Sequence, residues 1–305
     1  MAKKHNAHDS GYKKLFSNHE LVRQLLTSFV NEEWINCIEY SSLERIDKSF
    51  ISDEFAERES DLIYKVKFKG QDIYIFLLLE FQSSVDRFMS LRMLRYIIEL
   101  YEYLVRNHKL KTLPAVFPIM LYNGEKNWTA PEEICNLIED SIPKKYIPKF
   151  RYFKIAENEF SKDFLKSLKN SVAALFYTEN LSEEELQLEI DSITDLLKTE
   201  NPDEIKLFIN WFKYMFNDRK DIVEDIQGLV EVKTMLRTSI KRYGEKLLQE
   251  GKLEGFQEGI LKGKFEGINE GIKKTAKALL KEKMPVQKIS EITGLTIEEI
   301  EKLVE

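Results

Sequence analysis

Asp61, Glu80 and Gln82 are the residues of this 305-residue sequence whose types and spacing best fit a chemical task. Asp61 opens one β-rich run and Glu80 closes the next, with Lys69-Gly70 between the runs as a turn. A hairpin about that turn sets Asp61 opposite Leu78 or Leu79, so Glu80 becomes its near neighbour. Gln82 shares a face with Glu80, because side chains two apart on a strand point the same way. A carboxylate that closes a strand as apolar as IYIFLLLEF must reach solvent, find a partner or hold a metal. Two carboxylates on neighbouring strands, the main-chain carbonyl of Phe81 and several waters would form the octahedral oxygen shell that Mg²⁺ demands. An ion held there can activate water and stabilise the charge that develops in phosphodiester cleavage, with no nucleophilic side chain. The same residues also fit a plainer description, with Asp61 accepting backbone hydrogen bonds at a strand start and Glu80-Gln82 forming a solvated strand end.

The elements that must position these residues follow from apolar spacing. Tyr12, Leu15, Phe16, Leu21, Val22, Leu25, Leu26 and Phe29 recur at three- and four-residue steps and predict one helix from Ser10 to about Asn31. Trp34 to Ile46 shortens toward alternation, and the hairpin occupies Ser60 to Phe81. Phe88 to Arg106 returns to helical spacing, with Met89, Met93, Tyr96, Ile97, Leu100 and Leu104 inward. On its polar face Arg95–Glu99 and Glu102–Arg106 are ordinary surface pairs. Arg92 has no such partner four residues on and is the candidate phosphate contact. Ser83, Ser84 and Asp86 read as the polar loop into this helix, with Asp86 a further site candidate. Val116 to Tyr122 is a continuous apolar run closed by Asn123-Gly124, the mark of a strand buried on both faces. Arg151 to Ile155 alternates as one more strand.

Beyond about Ala156 the strand signals stop. Ser182 and Glu185 offer a capping box, and the Phe208, Trp211, Phe212 and Met215 stripe reads as core. From Gly251 to Gly271 glycine recurs every fourth residue, beside Leu253, Phe256, Ile260, Leu261, Phe265 and Ile268. Six glycines cost a helix about 1 kcal/mol each relative to alanine, so a helix here needs a compensating contact. The expectation is a tight helix pair between two copies of the chain; the alternative is a flexible linker. Pro285 to Glu305 reads as helix, Gly294 turn and a helix capped by Thr296, an outline of a helix-turn-helix. Its second helix carries Glu298, Glu299, Glu301 and Glu305, which phosphate would repel, so packing is the better reading.

A net charge of −6 argues against coating nucleic acid through bulk positive charge, so any DNA contact is a local patch. Cys37 and Cys135 match no paired metal spacing and are expected to be free, partly buried thiols. The N-terminal MAKKHNAHDSGYKKLF has no apolar h-region, and the longest apolar run, Ile73 to Leu79, is far short of a bilayer span. The expectation is a cytoplasmic protein with no membrane segment.

The string Asp61, eighteen residues, then Glu80-Phe81-Gln82 is similar to the D-(E)xK signature of restriction-like nucleases, with Gln82 where lysine is more common. HDSGYKKLF at 8–16, ESDLIYKV at 59–66, LEFQSSVDRFMSLRMLRYIIELY at 79–101 and PIMLYNG at 118–124 resemble the Rpn family of recombination-promoting nucleases and transposases. That resemblance implies an α/β, restriction-endonuclease-like mixed sheet flanked by helices, followed by an all-helical region and the glycine-repeat helical tail. The corresponding divisions are 1–155, 156–240, 241–284 and 285–305. It implies a metal-dependent endonuclease on double-stranded DNA, linked to recombination and mobile elements, using Mg²⁺ with Mn²⁺ or Ca²⁺ able to substitute. Asp61 and Glu80 would be metal ligands, and Gln82 would orient the attacking water or hold the scissile phosphate. His8 and Asp9 begin the family pattern and are further site candidates, although they could simply cap the first helix. A homodimer through residues 251–271 would place two single-strand cutters on one duplex. Replacing lysine by glutamine removes a charge that would stabilise the transition state, which leaves a second expectation: a decayed DNA-binding or protein-interaction module.

Overall fold

The computed structural model describes residues 11–46, 62–80, 85–124, 126–215 and 229–303. Residues 11–15 are helical, and α1 follows at His19–Phe29. The single helix expected from Ser10 to Asn31 is therefore two pieces. Asn18 is the reason: its side chain accepts from the backbone N–H groups of Glu20 and Leu21 and starts a new helix after a turn. Apolar spacing continues on both sides of the break, so periodicity alone could not reveal it.

Five strands form one mixed sheet: β1 Ile38–Ile46, β2 Leu62–Phe68, β3 Gln71–Glu80, β4 Val116–Tyr122 and β5 Phe153–Ala156. They lie in chain order, β1 to β3 antiparallel and β3 to β5 parallel. The β2–β3 register runs from Leu62 opposite Leu77 to Phe68 opposite Gln71. The turn places Lys69 at φ 51° and Gly70 at φ 74°, the left-handed pair that a two-residue hairpin requires. Between β3 and β4, α2 at Met89–Asn107 is the crossover that parallel strands need.

Alternation along the strands sends side chains into two apolar layers. One holds Leu62, Tyr64, Val66, Ile75, Leu77, Leu121 and Ile155 with α1 and later helices. The other holds Ile63, Tyr74, Phe76, Met120, Tyr122 and Ala156 under Met89, Met93, Tyr96, Leu100 and Leu104 of α2. The inward residues expected for α2 are all buried.

After β5 the chain is helical: α3 Lys162–Leu168, α4 Ser171–Glu179, α5 Glu183–Leu188, α6 Ile190–Leu196 and α7 Pro202–Met215. The Ser182–Glu185 capping box is present, and Phe208, Trp211 and Phe212 are core. Helix α8 covers Leu229–Lys281, and its Val232, Leu236 and Ile240 join the first apolar layer. Cys135 is half-buried as expected; Cys37 is exposed, because it ends a single-turn helix leading into the edge strand β1.

Residues Met1–Tyr243 and Gly244–Glu305 form two compact units. In the second, the rest of α8 is followed by α9 Val286–Thr293, a left-handed Gly294 and α10 Ile297–Glu301 with a Thr296–Glu299 capping box. Ala276, Ile289 and Ile300 make its small core. Among the described residues, no atom lies within 4 Å of a Cβ built on Gly251, Gly255, Gly259, Gly263, Gly267 or Gly271. Within one chain these glycines therefore serve no close approach. No described helix is long and apolar enough to cross a membrane.

Candidate functional site

The carboxyl ends of β3, β4 and β5 finish level with one another: Glu80 is the register partner of Tyr122, and Tyr122 of Ala156. Asn123 and Glu157 follow one step further on. The antiparallel β2 begins at the same edge, with Leu62 opposite Leu77. Open α/β sheets bind ligands along this edge, where the connections leave the strands.

Buried aromatic packing stiffens the edge. The Tyr122 ring meets Trp128 edge-on at 4.9 Å between centroids, and the Trp128 indole N–H donates to the Tyr152 hydroxyl at 2.9 Å. A Cβ on Gly124 would overlap the Tyr122 ring, so the chain can turn back beside Tyr122 only with glycine at that position. Burial pushes the Tyr152 hydroxyl up to about 12, so it stays protonated as a hydrogen-bonding group.

Each residue expected from the sequence to form the site has a definite status. Glu80 ends β3 in the row just described, and its backbone position is what is fixed. His8, Asp9, Asp61, Phe81 and Gln82 lie outside the described residues. Asp86 caps the approach to α2: one carboxylate oxygen accepts the Phe88 N–H at 2.9 Å and the other meets Arg92 Nη1 at 3.2 Å. Arg92 thus has a partner six residues upstream rather than four downstream, and its side chain is only 15% exposed. A guanidinium held this way is a fixed donor rather than a freely reaching surface cation. Arg95–Glu99 and Arg106–Glu102 pair as expected, at 3.0 and 2.8 Å. Among the described residues no group of three or more His, Cys, Asp or Glu could hold a metal ion.

One buried acidic cluster at the same edge was missed in the sequence. Glu157, 1% exposed, receives the Tyr12 hydroxyl hydrogen bond at 2.8 Å to one oxygen and 3.0 Å to the other. Its backbone carbonyl accepts from the Asn180 side chain at 2.7 Å, and the Asn123 side chain also bonds the Tyr12 hydroxyl. Burial pushes the Glu157 carboxyl well above the usual range; the charge of Glu179 pushes the same way, and the Tyr12 hydrogen bond pulls against both. Burial, then Glu157 and Glu179, push the Tyr12 hydroxyl up as well. The rule that singled out Glu80, an acid at the end of a buried strand, applies equally to Glu157. Tyr12 looked like an ordinary core aromatic because its partner lies 145 residues away.

The family described as "Putative transposase, YhgA-like" matches residues 6–208. Recombination-promoting nuclease RpnD of Escherichia coli O157:H7 is 26% identical over 136 residues, 45% of this chain and 52% of that protein, so the match spans about half of the relative's length. Recombination-promoting nuclease RpnA of Escherichia coli strain K12 is 24% identical over 309 aligned residues, 98% of each chain. A protein of the same strain named inactive recombination-promoting nuclease-like protein RpnE is 23% identical over 262 residues, 83% of this chain and 85% of that one. No solved structure matches the chain significantly.

Proposed function

The chain belongs to the YhgA-like transposase family, and from that premise we propose that it is a metal-dependent DNA endonuclease whose site is built on Asp61 and Glu80. The observation that carries this reading is the β2–β3 register. It ends at Leu62 opposite Leu77, with Asp61 the next residue back along the chain and Glu80 closing β3 three residues on. Ile63 and Phe76 are register partners in the layer beneath α2; Asp61 has the strand parity of Ile63, and Glu80 that of Phe76. Period-two alternation therefore favours one common face for the two acids.

The donor set, two carboxylates and the Phe81 carbonyl, is all oxygen and suits a hard divalent cation such as Mg²⁺, with Mn²⁺ or Ca²⁺ as substitutes. When bound, such an ion lowers the pKa of water and stabilises charge on the phosphate. The chain supplies the geometry: Asp61 and Glu80 hold the cation, and Gln82 hydrogen-bonds the attacking water or the scissile phosphate. His8 and Asp9 stand by sequence just before Tyr12, whose hydroxyl ties that segment to the sheet edge through Glu157. The substrate in this reading is double-stranded DNA, cut in a cytoplasmic setting. A homodimer through residues 251–271 is supported by the exposed Phe256, Leu261 and Phe265 along that helix.

Supercoiled plasmid incubated with Mg²⁺ or Mn²⁺ should be nicked or linearised by the wild-type chain, and left intact with EDTA or by Asp61→Ala and Glu80→Ala. A second reading, a decayed binding module, draws on Gln82 in place of the more usual lysine and on the relative named inactive. It predicts metal-independent DNA affinity without cleavage at any protein concentration.

A further inference from the structure

The connection from β4 to β5 carries charge of a kind the rest of the chain does not. From Pro143 to Ala156 the sequence holds five cations, Lys144, Lys145, Lys149, Arg151 and Lys154, and no carboxylate, in a chain of net charge −6. Arg151 is engaged by Glu132 at 2.8 Å and Glu133 at 3.8 Å, and Lys154 by Glu159 at 2.6 Å. Lys144, Lys145 and Lys149 are exposed and form no ion pair among the described residues. Between them Tyr146 stands 67% exposed, with Lys145 Nζ 4.9 Å from its ring centroid.

We propose that Pro143–Arg151 is a second nucleic-acid contact, in which Lys144, Lys145 and Lys149 take the sugar-phosphate backbone of a DNA strand and Tyr146 stacks on an unpaired base. The inference rests on the nuclease reading for its substrate. Lysines interleaved with an exposed aromatic suit single-stranded nucleic acid, since phosphates need positive charge and every base has a face to stack.

The segment is already shaped. Lys144–Tyr146 is a single helical turn, closed by Tyr146 N–H to the Pro143 carbonyl at 3.0 Å and Ile147 N–H to the Lys144 carbonyl at 3.2 Å. Pro143 and Pro148 flank it, and Ile134 N–H to the Phe150 carbonyl at 3.1 Å pins its far end. Little ordering entropy remains to be lost on binding. Lys144, Lys149 and Arg151 line a cavity of about 620 Å³, where Arg151 offsets the charge of Glu133 on the same wall.

The position also fits. Phe153, where β5 begins, pairs with Ile119, which pairs with Leu77. From Glu80 this is two strands across and three residues back, on the order of 14 Å at ordinary sheet spacings. A strand held at Glu80 covers that distance in about four nucleotides, at roughly 3.4 Å per phosphate.

The test uses the full chain in EDTA, where cleavage is silent, with fluorescently labelled single-stranded and duplex oligonucleotides titrated across a KCl series. The triple variant Lys144→Glu, Lys145→Glu, Lys149→Glu should bind about 100-fold more weakly at 0.1 M salt. Its salt slope should fall by about two to three, as expected for three lost phosphate contacts. Charge reversal at Lys198 and Lys277, exposed and remote in sequence, should leave the slope near wild type. Tyr146→Ala should lose about 10-fold on the single strand and little on the duplex. An unchanged slope and affinity in the triple variant, equal losses on both oligonucleotides for Tyr146→Ala, or no binding by the wild type would each overturn the proposal. Failure of the nuclease reading is a separate result: intact DNA binding with no nicking in Mg²⁺ or Mn²⁺.

Discussion

Glu80 and Glu157 stand at matching stations, at or one step past the ends of parallel strands, yet they meet different surroundings. Glu157 is enclosed, receives the Tyr12 hydroxyl, lies near Glu179 and is pushed toward its neutral form. An acid in that state is a poor metal ligand, because a hard cation binds an ionised and reachable oxygen. Its visible work is to join the segment after His8-Asp9 to the end of β5. Glu80 ends the strand that follows Asp61 in the hairpin and has an acid partner in sequence. The contrast teaches that strand-end position marks a candidate carboxylate, while neighbours decide whether it holds a metal or holds the fold.

The largest effect that would sharpen this contrast is on turnover. Asp61→Ala and Glu80→Ala should lower nicking by at least about 10²–10³-fold, the scale of losing a group that stabilises transition-state charge. Glu157→Gln should keep activity within a few-fold. Equal losses at Glu80 and Glu157 in a plasmid assay would erase the distinction.

Next is stability. Tyr12→Phe removes a buried hydrogen bond to a carboxylate and should cost about 1.5–3 kcal/mol in urea unfolding. Metal-dependent cleavage by the folded fraction should survive. An unchanged unfolding midpoint would mean that the Tyr12–Glu157 contact does not anchor this edge.

Gln82→Lys should raise kcat by about 10-fold by restoring a positive charge near the phosphate. No change, with DNA binding intact, would place Gln82 away from the reacting group.

The smallest effect is a pH dependence. The folded-state pKa of Glu157 is raised, so its contribution favours folding fully below the unfolded glutamate value of about 4.3 and is lost as pH rises toward the higher folded value. Glu157→Gln leaves an acceptor for Tyr12 and removes the titration. Its melting temperature should therefore vary less than that of wild type between about pH 5 and 8, with the relative gain at the alkaline end. Parallel profiles for the two proteins would contradict this account of Glu157.

Much of the sheet was legible because its signals are local. Lys69-Gly70 set the hairpin register, Val116–Tyr122 announced a strand buried on both faces, and the inward residues of α2 followed from their spacing. The break at Asn18 was hidden because a capping side chain interrupts a helix without disturbing apolar periodicity. The partner of Arg92 was sought four residues ahead, where helix pairs form, and lies instead in the loop before the helix. The Tyr12–Glu157 contact joins chain ends that only the finished sheet brings together. Asp61 and Glu80 came from strand parity and hairpin geometry, together with resemblance to a family that the chain proves to belong to.

A crystal of the full chain grown with Mn²⁺ tests the central claim most directly, because anomalous scattering locates the ion without reference to activity. The account predicts a peak shared by the Asp61 and Glu80 carboxylates at about 2.0–2.2 Å from each, with the two groups within roughly 5 Å of one another. A peak at Glu157, or carboxylates of Asp61 and Glu80 on opposite faces of the sheet in a protein that still cuts DNA, would contradict it.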